Sequence, residues 1–446
     1  MKVAIVGGGF SGTMTAVHLA RGGAQAVLIE KGDRFARGLA YGTQCDAHLL
    51  NVQAGKMSAL DDEPEHFLGW LQARDPSANA NTFAPRSMYG DYLEELLNSV
   101  RGIERVRDEV TAIEHGDENR DIRLTTKSHG HIISDRVVLA LGHPAPQCSE
   151  ANAARSDQDC YVANPWAPGV LEGLSSDDAI GLIGTGLTAV DMIVEARGRG
   201  HRGQILAISR HGLSPSRHRP ALPRPHFHLA GKQATARTLM RTVRDEAEQC
   251  RREGGDWRSV IDAIRPEAQK VWRSMGEGER SRFIRHVAPQ WDVHRHRVAP
   301  QIADVLDEAR RDGCLEIIAG RILNHEPRGD GEALTFRRRG ASHDETRVVR
   351  RLINCTGPAR DIRTKPSPLL ASLLSQGLAK PGPLALGFEA GEHGALVGCA
   401  GQASECLFAL GPLLKEQLWE TTAVRELRVQ ARELASHLLS ARVNPL

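Results

Sequence analysis

Val3-Ala4-Ile5-Val6-Gly7-Gly8-Gly9-Phe10-Ser11-Gly12 is the stretch whose reading decides the fold. Its four apolar residues predict a buried strand, and Gly7, Gly9 and Gly12 follow at G-x-G-x-x-G spacing. Ala16, Leu19 and Ala20 then share one side of a helical pattern. The next apolar run, Ala26 to Ile29, ends at Glu30, eighteen residues past Gly12, which completes a βαβ unit. The first glycine permits a tight turn, the second lets a phosphate approach the backbone, and the third lets helix and strand pack closely. Backbone N–H groups and a helix N-terminus then face a pyrophosphate, while the Glu30 carboxylate is placed to accept hydrogen bonds from a ribose.

A second unit repeats the pattern. Ala179 to Ile183 predict a strand, Gly184, Gly186 and Ala189 fit the G-x-G-x-x-A variant, and Val190, Met192 and Ile193 continue as a helix before a strand at Gln204 to Ile208. Ser209, Arg210 and His211 stand where an NAD-preferring turn carries an acid. A carboxylate there would repel the 2′-phosphate of NADP, whereas the planar fork of Arg210 suits it, so NADPH is favoured over NADH. The plainer reading of Arg210 is a solvated surface charge.

Between the two units, Val110 to Ile113, Ile122 to Thr125 and Arg136 to Leu141 predict strands, the last running into Gly142-His143-Pro144. Thr235 to Arg311 carry apolar residues at helical spacing among dense Arg and Glu, which predicts an inserted helical segment. Strand pattern returns at Leu315 to Ala319, Ala333 to Phe336 and Val348 to Ile353, then Asn354-Cys355-Thr356-Gly357-Pro358. Leu407 leads through Gly411-Pro412 to a helix expected near Leu414.

At 446 residues the chain is long enough for two or three packed domains. A net charge of +2 recommends neither nucleic acid nor a membrane surface as partner. The start of the sequence shows no signal-peptide pattern, and no stretch reaches the ~18 apolar residues of a membrane span, so a cytoplasmic protein is expected. Eight cysteines include no Cys-x-x-Cys pair, which favours buried thiols and disfavours disulfide reductase chemistry. Arg217, His218, Arg219, Arg224, His226 and His228 make a basic loop that suits phosphates or an anionic substrate. His226-x-His228 and His294-x-His296 invite a metal reading, but no carboxylate or cysteine completes a set at ligand spacing, and no metal is expected.

Matches beyond the glycines carry a resemblance: Gly38-Leu39-Ala40-Tyr41-Gly42, His48 through Ser58, Pro85-Arg86 with Tyr89-Gly90, Asn164-Pro165-Trp166, Trp291-Asp292 with His294 to Arg297, and Trp419 through Val424. Along nearly its whole length the sequence resembles a bacterial FAD/NAD(P)-binding protein family related to flavin-dependent N-hydroxylating monooxygenases. The resemblance implies an α/β fold of two Rossmann-like dinucleotide-binding domains with a helical insertion and a discontinuous FAD domain. Residues 1–170 would begin that domain, 171–350 would form the NADP domain with its insert at about 230–312, and 351–446 would complete the FAD domain. Gly7, Gly9, Gly12, Glu30, Asn51, Gly411 and Pro412 would lie near FAD, and Gly184, Gly186, Ser209 and Arg210 near NADP. Phe10, Ser11, Lys31, Leu39, Ala40, Tyr41, Gly142, Leu187, Thr188 and Gly357 join the expected cofactor-binding set. Leu141-Gly142-His143-Pro144 lacks the His and Trp spacing of the related Baeyer–Villiger group, so ketone oxygenation is disfavoured.

Hydride transfer needs nicotinamide C4 against flavin N5, with the protein supplying position and electrostatics. Asn51, Gln53 and Lys56 are the catalytic candidates, with Ser58 as a further flavin-side contact. Lys56 would balance charge at flavin N1 or on a substrate carboxylate, although a loop lysine is more often a solvated charge. The leading expectation is an NADPH-dependent, single-component monooxygenase that acts on nitrogen or another soft nucleophile of a small substrate, an amino-acid-like one among the candidates. A flavin reductase without oxygen insertion and a non-catalytic nucleotide-sensing flavoprotein are the alternatives, and a homo-oligomer is one assembly open to it.

Overall fold

The computed structural model describes residues 1–115, 121–146, 160–224 and 235–440. The chain divides into two compact units, one of Met1–Gln44, Val52–Pro144 and Arg360–Leu446, the other of Cys45–Asn51 and Ala145–Ala359. In chain order the first unit begins with β1 (Lys2–Val6), β2 (Gln25–Glu30), β3 (Ile103–Arg107), β4 (Val110–His115), β5 (Ile122–Thr126), β6 (His131–Ser134) and β7 (Arg136–Leu139). The second unit holds β8 (Tyr161–Val162), β9 (Ile180–Ile183), β10 (Ile205–Ser209), β11 (Leu315–Arg328), β12 (Gly331–Arg338), β13 (Glu345–Val349) and β14 (Arg351–Asn354). β15 (Ala395–Val397) and β16 (Ala403–Ala409) return to the first.

In the first unit the main sheet has the order β15-β16-β7-β1-β2-β3, with β1 parallel to both β2 and β7. Val3, Ala4 and Ile5 are completely enclosed, as a strand covered on both faces requires, and this explains an unbroken apolar run where a half-exposed strand would alternate. Burial of each such Val or Ile contributes about 1.5–3 kcal/mol. The antiparallel sheet β4-β5-β6 adds Ile113, Ile122 and Leu124 to the same core as Val6, Val27 and Leu139. The closing helix Val424–Ser440 packs along the helix Phe10–Arg21, so the end of the chain completes the layer begun by its start.

The second unit has the order β13-β12-β11-β10-β9-β14-β8, in which β10 runs parallel to β9 and β11. β11 then outruns the parallel sheet and pairs antiparallel with β12 from Gly320 onward. The inserted segment is helical across Ala236–Arg252, Trp257–Ile264, Ala268–Ser274, Glu277–His286 and Ala288–Arg295. It keeps a small core of its own around Cys250, Val260 and Ile264. The next helix, Pro300–Arg311, leads into β11 and packs against the helix Leu187–Gly198.

Two expectations are corrected. Val348 to Ile353 do not form one strand: β13 pairs antiparallel with β12, and β14 pairs parallel with β9, with Arg350 at the switch donating its N–H to Ala179 O at 2.7 Å. No long helix starts near Leu414. A short 3₁₀ turn, Gly411–Leu414, stands there, and the helix begins at Val424. The intervening Glu416 is turned inward to accept the N–H groups of Leu384 (3.2 Å) and Leu386 (3.1 Å). The compact units divide at 144–145 and 359–360, and β8 and β14 both ladder into the second sheet. Among the described residues no helix is long and apolar enough to cross a membrane.

Candidate functional site

Gly7 ends β1 with φ +106°, and its N–H donates to Ile29 O at 2.8 Å. A Cβ at this position would overlap the Ala140 carbonyl, whose carbon lies 2.8 Å away, so the turn is closed to any other residue. Gly9 caps the helix Phe10–Arg21 without any side-chain hydrogen bond. The N-terminal N–H groups of Phe10 and Ser11 and the positive end of the helix dipole are thereby left for an anion. At Gly12 a Cβ would overlap the Gly7 carbonyl, which is the close packing expected of the third glycine. Gly38 (φ +53°) presses its backbone toward Gly9, whose added Cβ would lie 3.5 Å from Gly38 Cα.

Glu30 ends β2 with both carboxylate oxygens anchored, Oε2 accepting from Gly8 N–H at 2.6 Å and Oε1 from Gly32 N–H at 2.7 Å. This fixes the carboxylate beside the glycine turn and leaves lone pairs for further donors. Gly411 (φ +69°) closes the same neighbourhood from the far end of the chain: its added Cβ would stand 3.6 Å from Ser11 Oγ. Thr421 Oγ1 donates to Gly411 O at 3.1 Å and holds the Gly411-Pro412 turn in place. Gly142 (φ +69°) and His143 continue from β7. His143 is exposed, yet desolvation by neighbouring groups, and then the positive charge of Lys415, lower its imidazole to about 4.

The second unit repeats the first cradle. Gly184 ends β9 with φ +116°, donates to Ile208 O at 2.7 Å, and excludes a Cβ through the Cys355 carbonyl, whose carbon would be 2.9 Å away. Gly186 caps the helix Leu187–Gly198 with φ −81° and ψ −166°, beside −75° and −166° at Gly9, and again without a side-chain cap. Among the described residues, and apart from its own chain neighbours, nothing lies within 4 Å of a Cβ added at Gly186, where the helix opens with Leu187 and Thr188. Gly357 (φ +77°) lies in the turn after β14 that also supplies the Cys355 carbonyl.

At the end of β10, Ser209 Oγ lies 2.8 Å from Thr185 Oγ1 and accepts from Gly212 N–H at 3.0 Å, which ties the turn to the first residues of the cradle. Arg210 is exposed. Burial first, then the charges of Arg210 and Arg339, hold the His211 imidazole below its usual range. Among the described residues neither Arg210 nor Arg339 has a carboxylate within ion-pair distance, whereas Arg337 pairs with Asp344 and Arg338 with Glu316 and Glu345.

The remaining candidates separate. Asn51 groups with the second unit, whereas Gln53 and Lys56 lie in the first, where Gln53 Nε2 donates to Asn81 Oδ1 at 3.2 Å and Lys56 is exposed. Ser58 is fully buried and donates to Glu63 O at 2.6 Å, so its hydroxyl staples a loop. Lys31 projects into solvent within 4.0 Å of Glu109. Leu39 and Ala40 are exposed, and Tyr41 packs edge-on to Tyr89 with ring centroids 4.6 Å apart, its hydroxyl pushed up by burial. The basic loop is partly neutralised: Arg217 pairs with Asp304 and Asp307, and Arg224 with Glu246 and Glu253. His226 and His228 lie outside the described residues. His294 Nδ1 lies 2.7 Å from Gln290 O and its ring stands edge-on to Trp257, a structural setting. A set that sequence spacing did not reveal is Cys45, His48 and Glu195, whose ligand atoms lie within 4.8 Å of one another.

Two Rossmann-like units, each with a glycine turn opening on an uncapped helix, define a two-dinucleotide α/β fold. Residues 4–144 match the family model described as FAD-NAD(P)-binding, in line with the resemblance read from the sequence. No curated protein matches the sequence. Among solved structures, the ornithine N-hydroxylase of Kutzneria sp. 744 is similar over 99% of both chains, at 14% identity and a TM-score of 0.67. The ornithine hydroxylase of Pseudomonas aeruginosa is similar over 98% of both chains, at 18% identity and a TM-score of 0.67. The thioredoxin reductase of Lactococcus lactis covers 99% of both chains at 11% identity, with a TM-score of 0.57. At these identities the likeness is one of fold.

Proposed function

We propose that the protein is an FAD-dependent oxidoreductase reduced by NADPH, and that it oxygenates nitrogen or another soft nucleophile on a small, amino-acid-like substrate in the cytoplasm. The observation that carries the reading is the repetition of one phosphate cradle in two separate units, with matching glycine torsions and an uncapped helix in each. Gly7, Gly9 and Gly12 with the N–H groups of Phe10 and Ser11 would hold the FAD pyrophosphate, and Glu30 its ribose. Gly184, Gly186 and the start of the helix Leu187–Gly198 would hold the nicotinamide nucleotide, with Arg210 on its 2′-phosphate. Bound FAD supplies the redox chemistry, accepting hydride from NADPH and passing electrons to dioxygen or another acceptor. The hydroxylases of similar fold support an amine-bearing substrate. Disulfide reduction is disfavoured in spite of the thioredoxin reductase likeness, because the sequence has no Cys-x-x-Cys pair.

The test mixes FAD-loaded protein with NADPH without oxygen, then admits air with and without diamino acids and simple diamines. Bleaching by NADPH, followed by oxygen uptake matched by hydroxylated amine, is the expected result. Bleaching that yields only peroxide with every substrate tried would favour a reductase, and flavin that NADPH cannot bleach would overturn the oxidoreductase reading.

A further inference from the structure

We propose that the second unit holds a divalent metal ion, zinc by its ligand chemistry, between Cys45, His48 and Glu195. Cys45 and His48 are three residues apart on a turn closed by the His48 N–H donating to Cys45 O at 3.1 Å. The His48 ring is buried against the helix Leu187–Gly198, with Nε2 3.0 Å from Asp191 O and 3.7 Å from Glu195 Oε2. Trp166 stands edge-on to the same ring at a centroid distance of 6.3 Å and shields it on one side.

Glu195 lies one helical turn beyond Asp191, and its other oxygen, Oε1, accepts from Arg199 Nη2 at 2.7 Å and Nε at 3.1 Å. The guanidinium thus orients the carboxylate and leaves Oε2 directed to the imidazole, the arrangement by which outer partners fix metal ligands. One thiol, one imidazole and one carboxylate make a mixed sulfur, nitrogen and oxygen set of the kind zinc accepts, with a fourth position left for water. Zinc bonds of about 2.0–2.3 Å put tetrahedral ligand atoms roughly 3.3–3.8 Å apart. The three atoms, within 4.8 Å of one another, need only small side-chain rotations to reach that spacing.

Charge also fits. A dication takes the thiolate and the carboxylate as ligands, the thiol proton leaves to solvent, and His48 binds through an unprotonated ring nitrogen. Two negative ligands and one dication then sum to zero, and metal uptake strengthens as pH rises through neutrality.

Cobalt(II) titrated into the full-length, metal-stripped protein tests this, read as ligand-field absorption in the red, beyond the absorption of oxidised flavin. One equivalent with the intensity of a tetrahedral site is expected, displaced by zinc, absent in Cys45→Ser and weakened at least tenfold in Glu195→Gln. Thermal melting of both variants establishes that they are folded. No tetrahedral band in the wild-type protein, or a band that persists unchanged in folded Cys45→Ser, would overturn the proposal and leave the three residues as a hydrogen-bonded cluster.

Discussion

The carbonyl carbon of Cys355 lies 2.9 Å from the place a Cβ would occupy at Gly184, and Ala140 stands in the same relation to Gly7 at 2.8 Å. In both units the residue after the central parallel neighbour of the first strand seals the turn from behind. Gly186 differs, since among the described residues nothing beyond its chain neighbours lies within 4 Å of an added Cβ. Gly184→Ala should therefore lower the melting temperature by several degrees, through overlap and a left-handed φ that alanine resists. Gly186→Ala should fold normally but bind NADPH at least tenfold more weakly, because its methyl group fills space needed by the pyrophosphate. Melting curves and NADPH titrations check both; a Gly186→Ala protein with unchanged NADPH affinity would remove the phosphate from this turn.

Both cradles were legible in the sequence because their chemistry is local: strand, glycines and helix start all fall within about a dozen residues. The strand break at Arg350 was not, since apolar residues run on across it and only tertiary pairing assigns β13 and β14 to different partners. Lys31 and Ser58 show the other limit, for a polar residue close to a motif in sequence can end as a solvated charge or a buried staple. The Cys45, His48 and Glu195 set was hidden for the opposite reason, as the chain between His48 and Glu195 separates ligands that the fold brings together.

The proposed preference for NADPH rests on the charges at the end of β10. Arg210 and Arg339 lack carboxylate partners among the described residues while Arg337 and Arg338 have them, so an arriving 2′-phosphate meets uncompensated positive charge. Arg210→Ala should raise KM for NADPH about tenfold, equivalent to about 1.4 kcal/mol, and barely alter that for NADH. Arg339→Ala should act in the same direction more weakly. Steady-state kinetics with both nucleotides decide it, and equal losses for NADPH and NADH would exclude the phosphate contact.

Flavin retention should depend on Glu30 in a graded way. Its two oxygens receive the N–H groups of Gly8 and Gly32, so the carboxylate shapes the cradle in addition to the ribose contact proposed for it. Glu30→Gln preserves one acceptor and should lose FAD about tenfold more readily; Glu30→Ala removes both anchors and should be isolated largely without flavin. The ratio of flavin to protein absorbance after dialysis measures this, and full retention in Glu30→Ala would show that the ribose is held elsewhere.

His143 gives the protein a defined acid sensitivity. Desolvation by neighbouring groups and the Lys415 charge lower the imidazole from 6.5 to about 4, so the folded protein favours the neutral ring where the unfolded chain begins to protonate, and because His143 is itself exposed, solvent screening keeps the stability effect small. Between those values the unfolded state binds more protons, and stability therefore falls as pH drops from about 6.5 toward 4, with no contribution at higher pH. His143→Asn should flatten the stability profile across that window and leave it unchanged above neutrality. Lys415→Met should shift the His143 titration upward, visible in the imidazole resonances. Parallel stability profiles for wild type and His143→Asn would show that the ring protonates as freely in the folded protein as in the unfolded one.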